Sequence, residues 1–461
     1  MRKQYLIMFW AVLGLIACVP IGLLTQPSFN SYTGPEFIVS TSRTSFLLFF
    51  IGGTLITGIY ALTAMWENGE NFSQRNVVLM ILTATCAALF LYPFVYDPLY
   101  YHLAARSVNA GVNPYLFDFS SLLDTVPVVF NVVHTYAYGP IWLFITAGVA
   151  YMFSSQFSFL MALKVFALVE TLCVLLIYKQ IKPKLDTYNY ALMLLNPALL
   201  LFGLSAGLAD VTVGILFFAS LVFLVKDKRA LSLALLSLAI LTKPTLIFAV
   251  IPYGAFLISK RLDIKRVITY LVTLIPLGIT GYLVIANPDS LNGMLDLHRG
   301  EQETMLSFGG VLGHILSTFT GSAMIIRTQT FFIFVNGLFI LFYSSFIILK
   351  KPTVQFFIDS LLLVGLTFIY FSGYIVKPWY IIPFLFGSLL ASEKIQKLVA
   401  TVSILLVFGV FWFNISPYFA TYDKTFWLVG GIFFSFIAPV IFTIKELFSL
   451  YTYLTHPTVD L

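Results

Sequence analysis

The chain has 461 residues, of which 59% are hydrophobic and only 10% charged, with a mean hydropathy of +0.94. Soluble domains carry about 25% charged residues, so an ordinary soluble protein is excluded. The composition predicts an all-α, polytopic membrane protein, since each span needs about 20 apolar residues and no alternating barrel pattern is present. The net charge of +6 does not point to nucleic acid, because the basic residues follow membrane topology. The three cysteines, Cys18, Cys86 and Cys173, lie in apolar runs and imply neither a disulfide framework nor a metal cluster.

In chain order, the apolar runs between charged breaks predict about fourteen spans. They lie near 5–25, 45–66, 77–95, 159–178, 188–206, 211–225, 230–242, 244–259, 267–286, 328–349, 354–373, 379–391, 398–414 and 425–444. With Arg2 and Lys3 inside, the clusters Lys179/Lys182/Lys184, Lys226/Lys228/Arg229, Lys260/Arg261/Lys265/Arg266, Lys350/Lys351 and Lys394/Lys397 all fall in the cytoplasm, as do both termini. Most of the 26 Lys and Arg lie there, and that asymmetry sets the orientation. Leu15-Ile16-Ala17-Cys18 resembles a lipoprotein cleavage box, but the apolar stretch runs on to Leu24, so an uncleaved first helix is expected. The run from Gly139 to Met152 is also apolar. Counting it as a span would put Lys179, Lys182 and Lys184 outside and invert every later loop. It is therefore read as an interfacial helix on the outer leaflet, with Trp142 and Tyr151 at headgroup level. Two large outer loops result, at 96–158 and 287–327, within one transmembrane domain covering 1–461.

The most informative stretch is Tyr96-Asp97-Pro98-Leu99-Tyr100-Tyr101-His102, continuing to Gly111-Val112-Asn113-Pro114-Tyr115. It is a polar island carrying an acid at the outer end of a hydrophobic helix. Asp97-Pro98 has the form of a helix cap. It also opens a run in which Asp97 and Tyr101, and His102 and Arg106, are four apart and so share helical faces. Asp210, after Ser205-Ala206-Gly207-Leu208-Ala209, either caps the next helix or faces a ligand that small residues let approach. Thr242-Lys243-Pro244 and Val376-Lys377-Pro378-Trp379-Tyr380 each place a lysine, then a proline, at the outer end of a span. Both go against the inside bias. Such lysines either snorkel to headgroups or form an anion site at membrane depth, such as one for a lipid phosphate, with Arg106, Arg299 and Arg327 extending the field. Glu170 sits mid-helix, where an ionised carboxylate costs roughly several kcal/mol unless paired or facing water; neutral, paired and transport-path readings stay open. The run His298-Arg299-Gly300-Glu301-Gln302-Glu303 reads equally as a solvated turn. No HExxH, P-loop, GxSxG or Rossmann pattern stands in a believable context.

These residues resemble the integral-membrane glycosyltransferases of the GT-C superfamily, most closely the polyprenol-phosphate-mannose-dependent mannosyltransferases. The resemblance is carried by Asp97, Tyr100 and Gly111-x-Asn113-Pro114-Tyr115, by Tyr138-Gly139-Pro140 where the family often has Tyr-Pro-Pro, by Asn196-Pro197 with Asp210, by Lys243-Pro244, and by Lys377 with Trp379-Tyr380. It spans most of the chain, though each motif is short. It implies Asp97 as the catalytic base. Lys243 and Lys377 are then expected to bind the donor phosphate, supported by His102, Arg106 and Arg299. Asp210, Tyr100, Asn113, Tyr115 and Tyr138 are expected to orient the sugar or acceptor. Residues 1–70 depart from the family's order as a two-helix accessory addition. Asp210 also stands apart from any paired acidic motif, so no cofactor is expected and a divalent metal is not favoured.

The chemistry supports this independently. A sugar on a lipid phosphate leaves behind a phosphate anion, so the reaction needs no general acid. It needs a base for the acceptor hydroxyl and fixed positive charge at the departing phosphate; attack opposite the phosphate inverts the anomeric centre. The expected partners are a polyprenyl-phosphate hexose, a glycan or glycolipid acceptor and membrane lipids. From another class, a secondary transporter or lipid flippase would suit the many spans and Glu170, although transporters place their binding groups near the midplane and show repeated halves. A catalytically silent scaffold of the same fold is a third reading.

Overall fold

The computed structural model describes residues 97–116, 136, 138–181, 193–260, 323–372, 377–415 and 437–455, with scattered positions within 85–89, 268–279 and 312–319. Every element among them is helical. In chain order they are α1 (Asp97–Asn109), α2 (Pro140–Met152), α3 (Gln156–Ile181), a π-helical segment (Leu199–Leu204), α4 (Ala209–Val225), α5 (Arg229–Thr242), a 3₁₀ turn (Pro244–Ala249), α6 (Val250–Lys260), α7 (Ala323–Lys350), α8 (Val354–Ser372), a second 3₁₀ turn (Pro378–Ile381), α9 (Ile382–Ser388), α10 (Glu393–Ile415) and α11 (Ala438–Thr455).

Among the described residues, three stretches are long and apolar enough to cross a membrane: Gln156–Ile181, Thr330–Lys350 and Val354–Phe371. Pro140–Met152, Ala209–Val225, Arg229–Thr242 and Pro244–Ser259 are apolar but shorter; at 1.5 Å per residue the 17 residues of α4 cover about 25 Å, less than the roughly 30 Å of a hydrocarbon core. The expected spans at 5–25 and 45–66 lie outside the described residues, as do most of 77–95, 267–286 and 425–444. The expected span at 188–206 does not continue as one regular helix: its described end passes through the π-helical segment, and the chain turns at Gly207, whose φ is +61°.

Local chemistry sets the breaks. At the end of α4, Asp227 adopts a positive φ of 54° and the Lys228 N–H donates to the Phe223 carbonyl at 2.8 Å, a Schellman-type closure that satisfies a terminal carbonyl. Helix α5 stops at Thr242 because Lys243 is extended, with φ −157° and ψ 130°, and Pro244 opens the 3₁₀ turn; a proline disfavours the helical state of the residue before it. The same pair of breaks makes α4, α5 and α6 antiparallel. Toward the Lys226–Arg229 end Ser220, Ser232 and Tyr253 tie the three together: the Ser220 and Ser232 hydroxyls donate to each other's backbone carbonyls at 2.7 and 2.8 Å, and the Tyr253 hydroxyl lies 2.9 Å from both. Asp210 and Lys243 therefore share one end of this hairpin, and the basic Lys226–Arg229 turn sits at the other. Helix α4 is the buried centre, packed against α3, α5 and α9, with Phe217, Phe218 and Leu221 fully enclosed.

Candidate active site at one end of the helical bundle

Helix α1 begins at Asp97, an acid in the first turn where the exposed N–H groups favour negative charge. Its end explains the glycine of the Gly-x-Asn-Pro-Tyr stretch. Gly111 has φ +78°, and the Val112 N–H returns to the Ser107 carbonyl at 2.8 Å, so a residue free to adopt positive φ closes the helix. Asn113 then turns the chain, its side-chain oxygen accepting the Tyr115 N–H at 3.0 Å. The Tyr115 hydroxyl donates to the Tyr138 carbonyl at 2.9 Å, and the Tyr136 N–H donates to the Pro114 carbonyl at 3.1 Å.

Tyr138 is the hub of the cluster. Its phenol O–H donates to Asp97 Oδ1. Its ring lies among Tyr100, Tyr101 and Tyr136, with centroids 6.2, 4.9 and 5.7 Å away. Lys243 Nζ lies 5.2 Å from the Tyr138 centroid and 4.5 Å from that of Tyr380. The same ammonium donates to both oxygens of Asp210, at 2.9 and 2.8 Å, and the pair is enclosed, Lys243 6% and Asp210 0% exposed. Burial pushes the Tyr138 phenol well above the usual tyrosine range, and the negative charges of Asp97 and Asp210 push it further. Tyr101 is raised the same way, by burial and then by both acids. Two carboxylates 113 positions apart in sequence thus act on one pair of phenols (97 and 210).

Gly139 docks the two halves of the site. Its N–H donates to the Thr242 carbonyl at 3.0 Å, satisfying an acceptor at the end of α5, and a β-carbon there would lie 1.8 Å from the Leu241 carbonyl oxygen. Gly139→Ala is therefore expected to push α2 off α5 and destabilise the protein by about 2 kcal/mol or more, as overpacking against backbone does. A thermal-unfolding midpoint for the purified variant equal to that of the wild type would contradict this close approach.

Of the residues expected from sequence, Asp97, Tyr100, Tyr115, Tyr138, Asp210 and Lys243 meet in or around one cluster. Asp210, which stands apart from any paired acidic motif in the sequence, is bonded to Lys243 and acts with Asp97 on the Tyr138 and Tyr101 phenols. Lys243 and Asp210, expected in separate roles, form one ion pair, because neither charge is tolerated alone at this depth. Tyr100 and Tyr138 are buried against other rings rather than forming an open stacking surface. Asn113 is exposed, its oxygen engaged in the turn. Lys377 is extended, with Nζ 5.3 Å from the Trp379 ring; Trp379 packs on Phe202 and on Tyr380, whose ring is the one beneath Lys243. His102 turns to the Ser154 carbonyl at 3.1 Å and the Phe159 ring; burial lowers its imidazole below the ordinary value, with Arg106 adding to the effect against the opposing Ser154 carbonyl. Arg106 is exposed, and Arg299 lies outside the described residues. Trp142, expected at headgroup level, is instead buried edge-on against Tyr101, while Phe144, Gly148, Tyr151 and Met152 are the exposed residues of α2. Asn196 is buried, capping Ala198 N–H at 2.9 Å and donating to Ser403 of α10 at 2.6 Å.

Sequence reasoning passed over Tyr101, Tyr136 and Tyr380 as site members. The alternation Tyr136-Ala137-Tyr138, a pattern that in an extended segment puts both aromatics on one side, is the signal that could have found the second of them. Glu170 of α3 is buried and accepts the Thr212 hydroxyl at 2.9 Å, which makes it a hydrogen-bonded carboxyl between α3 and α4. Among the described residues no three His, Cys, Asp or Glu come together as a metal site.

Among the described residues the fold is all-helical, with apolar helices long enough to cross a membrane and an acid–tyrosine–lysine–acid cluster at one end of the buried hairpin. Comparison with protein-family models finds no match, and comparison with curated proteins finds none either, so the functional reading rests on the geometry of this cluster.

Proposed function

We propose that the chain is a multi-pass membrane glycosyltransferase of the GT-C type, moving a hexose, with mannose favoured, from a polyprenyl-phosphate donor to a lipid-linked or cell-surface glycan acceptor. One observation carries the reading: a carboxylate, Asp97, and an ammonium, Lys243, are held against the same tyrosine within one buried cluster. In the proposed reaction Asp97 takes the proton of the acceptor hydroxyl as its oxygen bonds to the anomeric carbon. The carbon–oxygen bond to the phosphate breaks with inversion, and the lipid phosphate departs with the electron pair. Lys377 and Lys243, with Arg299 and Arg106 as outer charges, are the basic groups proposed to meet that phosphate. We place the cluster on the extracytoplasmic face, supported by its position at the end of the hairpin away from the basic Lys226–Arg229 turn.

The test is transfer itself. Purified protein in liposomes, given polyprenyl-phosphate mannose and a lipid-extract acceptor, is expected to yield a glycosidic product with inverted configuration. No product from any of a panel of polyprenyl-phosphate hexoses would overturn the reading. A second reading, a transporter or flippase, is favoured by the buried Glu170 in the middle of α3, since ionisable groups at that depth mark ion or substrate paths. Glu170→Gln separates the two. The amide oxygen still accepts from Thr212, so transfer is expected to stay within about threefold of wild type. Loss of substrate accumulation in vesicles that form no glycosidic product would instead favour transport.

A further inference from the structure

Tyr138 touches both charge centres of the site through different parts of one side chain. The O–H is bonded to Asp97 Oδ1, and the ring face is turned to the Lys243 ammonium. Its backbone is held on either side as well. The Tyr115 hydroxyl holds the Tyr138 carbonyl, and the next N–H, that of Gly139, is bonded to Thr242, the residue before Lys243. The Asn113 turn fixes Tyr115 in its place. A continuous chain of contacts thus runs from the Gly-x-Asn-Pro-Tyr stretch through Tyr138 to both Asp97 and the end of α5. A side chain that only filled space, or that stacked on a sugar, would need none of these polar ties, and a stacking platform needs an open ring face. The Tyr138 ring has other aromatic rings around it and an ammonium on it.

We propose that Tyr138 is a positioning residue that couples the Asp97 carboxylate to the Lys243 ammonium, setting the two at one fixed separation. The proposal rests on the transferase reading for its kinetic consequence. With Oδ1 accepting the phenol O–H, Oδ2 is the oxygen assigned to the acceptor's proton in this proposal. The cation on the ring polarises the phenol and strengthens its O–H as a donor, as linked polar contacts in a low dielectric do. Base and cation are then aligned with each other before substrate arrives, which is the condition for a reaction that depends on placement and charge.

Three variants test it. Tyr138→Phe keeps the ring and its contact with Lys243 and removes the O–H. Tyr138→Leu removes both. Tyr115→Phe releases the Tyr138 backbone while leaving Tyr138 intact. Tyr138→Phe is expected to lower kcat by about tenfold to a hundredfold, the scale of one hydrogen bond to a charged group, with the donor KM within about threefold of wild type. Tyr138→Leu is expected to lower kcat as much and to raise the donor KM, and Tyr115→Phe to lower kcat to a smaller extent. A purely structural role would instead move kcat, KM and the unfolding temperature together in all three. A rise in KM with kcat unchanged would assign Tyr138 to sugar binding and overturn the proposal, as would wild-type kcat in a folded Tyr138→Phe protein. If the wild type transfers no sugar, the transferase reading fails first, and the bond itself is read separately. In infrared difference spectra of wild type against Asp97→Asn in lipid discs, the Asp97 carboxylate band is expected to shift on Tyr138→Phe and to stay in place on Tyr101→Phe. A band that does not move in Tyr138→Phe shows that the phenol does not hold the carboxylate.

Discussion

Asp97→Asn is expected to abolish transfer, by about 10²–10⁴-fold in kcat on ordinary general-base magnitudes, in a protein that remains folded and inserted. The separation of activity from folding has a specific basis. Asparagine has nearly the volume of aspartate, and its side-chain oxygen can still accept the Tyr138 O–H that now reaches Asp97 Oδ1, so the aromatic cluster of Tyr100, Tyr101, Tyr136 and Tyr138 loses no partner. What disappears is the negative charge and the basic lone pair. Product formation by the reconstituted variant, measured beside its unfolding midpoint, checks both halves of the expectation. Turnover retained near the wild-type rate would remove Asp97 from the mechanism and leave its bond to Tyr138 as packing.

Lys243→Met carries the largest expected effect on stability. The ammonium and the Asp210 carboxylate are buried together, 8% and 1% exposed at the side chain. Removing one member of such a pair strands the other charge, at a cost of about 3–5 kcal/mol. Asp210→Asn is expected to be milder, because Lys243 keeps the faces of Tyr138 and Tyr380 at 5.2 and 4.5 Å, and a desolvated cation–π contact contributes about 2 kcal/mol. Asp210 with its lysine gone keeps the N-terminal turn of α4, which is the weaker compensation. The double variant Lys243→Met/Asp210→Asn is therefore expected to recover most of the stability lost in Lys243→Met. Unfolding midpoints of the three proteins in detergent give this cycle directly. Additive losses would mean that the two groups do not form a closed pair.

Several structural features are already readable in the chain as a string of residues. Gly111 announces the end of α1, Pro140 the start of α2, and Lys243-Pro244 the break between α5 and the turn after it, because each depends on the φ preference of one residue or on a missing N–H. The helical class comes from the length of the apolar runs. That Asp97, Asp210, Lys243 and Lys377 call for partners is legible too, since charges among so many apolar residues demand an explanation. Their partners are not. Lys243 stands 33 positions after Asp210 in the chain, and nothing in Thr242-Lys243-Pro244 distinguishes an ammonium that meets a phosphate from one that meets an aspartate. Trp142 shows the same limit. An indole in a short apolar helix suits a membrane interface, and only the arrival of Tyr101 at 5.3 Å makes it a core residue.

By itself the sequence determined that this chain is helical and suited to a membrane, and where some of its helices break, as at Gly111 and Lys243-Pro244. These outcomes rest on local backbone preference and on the summed hydropathy of neighbours. Only the tertiary structure decided that Asp97 is bonded to the Tyr138 phenol, and that Lys243, over the ring of the same tyrosine, is compensated by Asp210 of α4. A buried charge takes whichever opposite charge or ring face the packing of α1, α2, α4 and α5 brings within a few ångströms. That choice depends on distances in space between residues far apart in the chain, which no local pattern encodes.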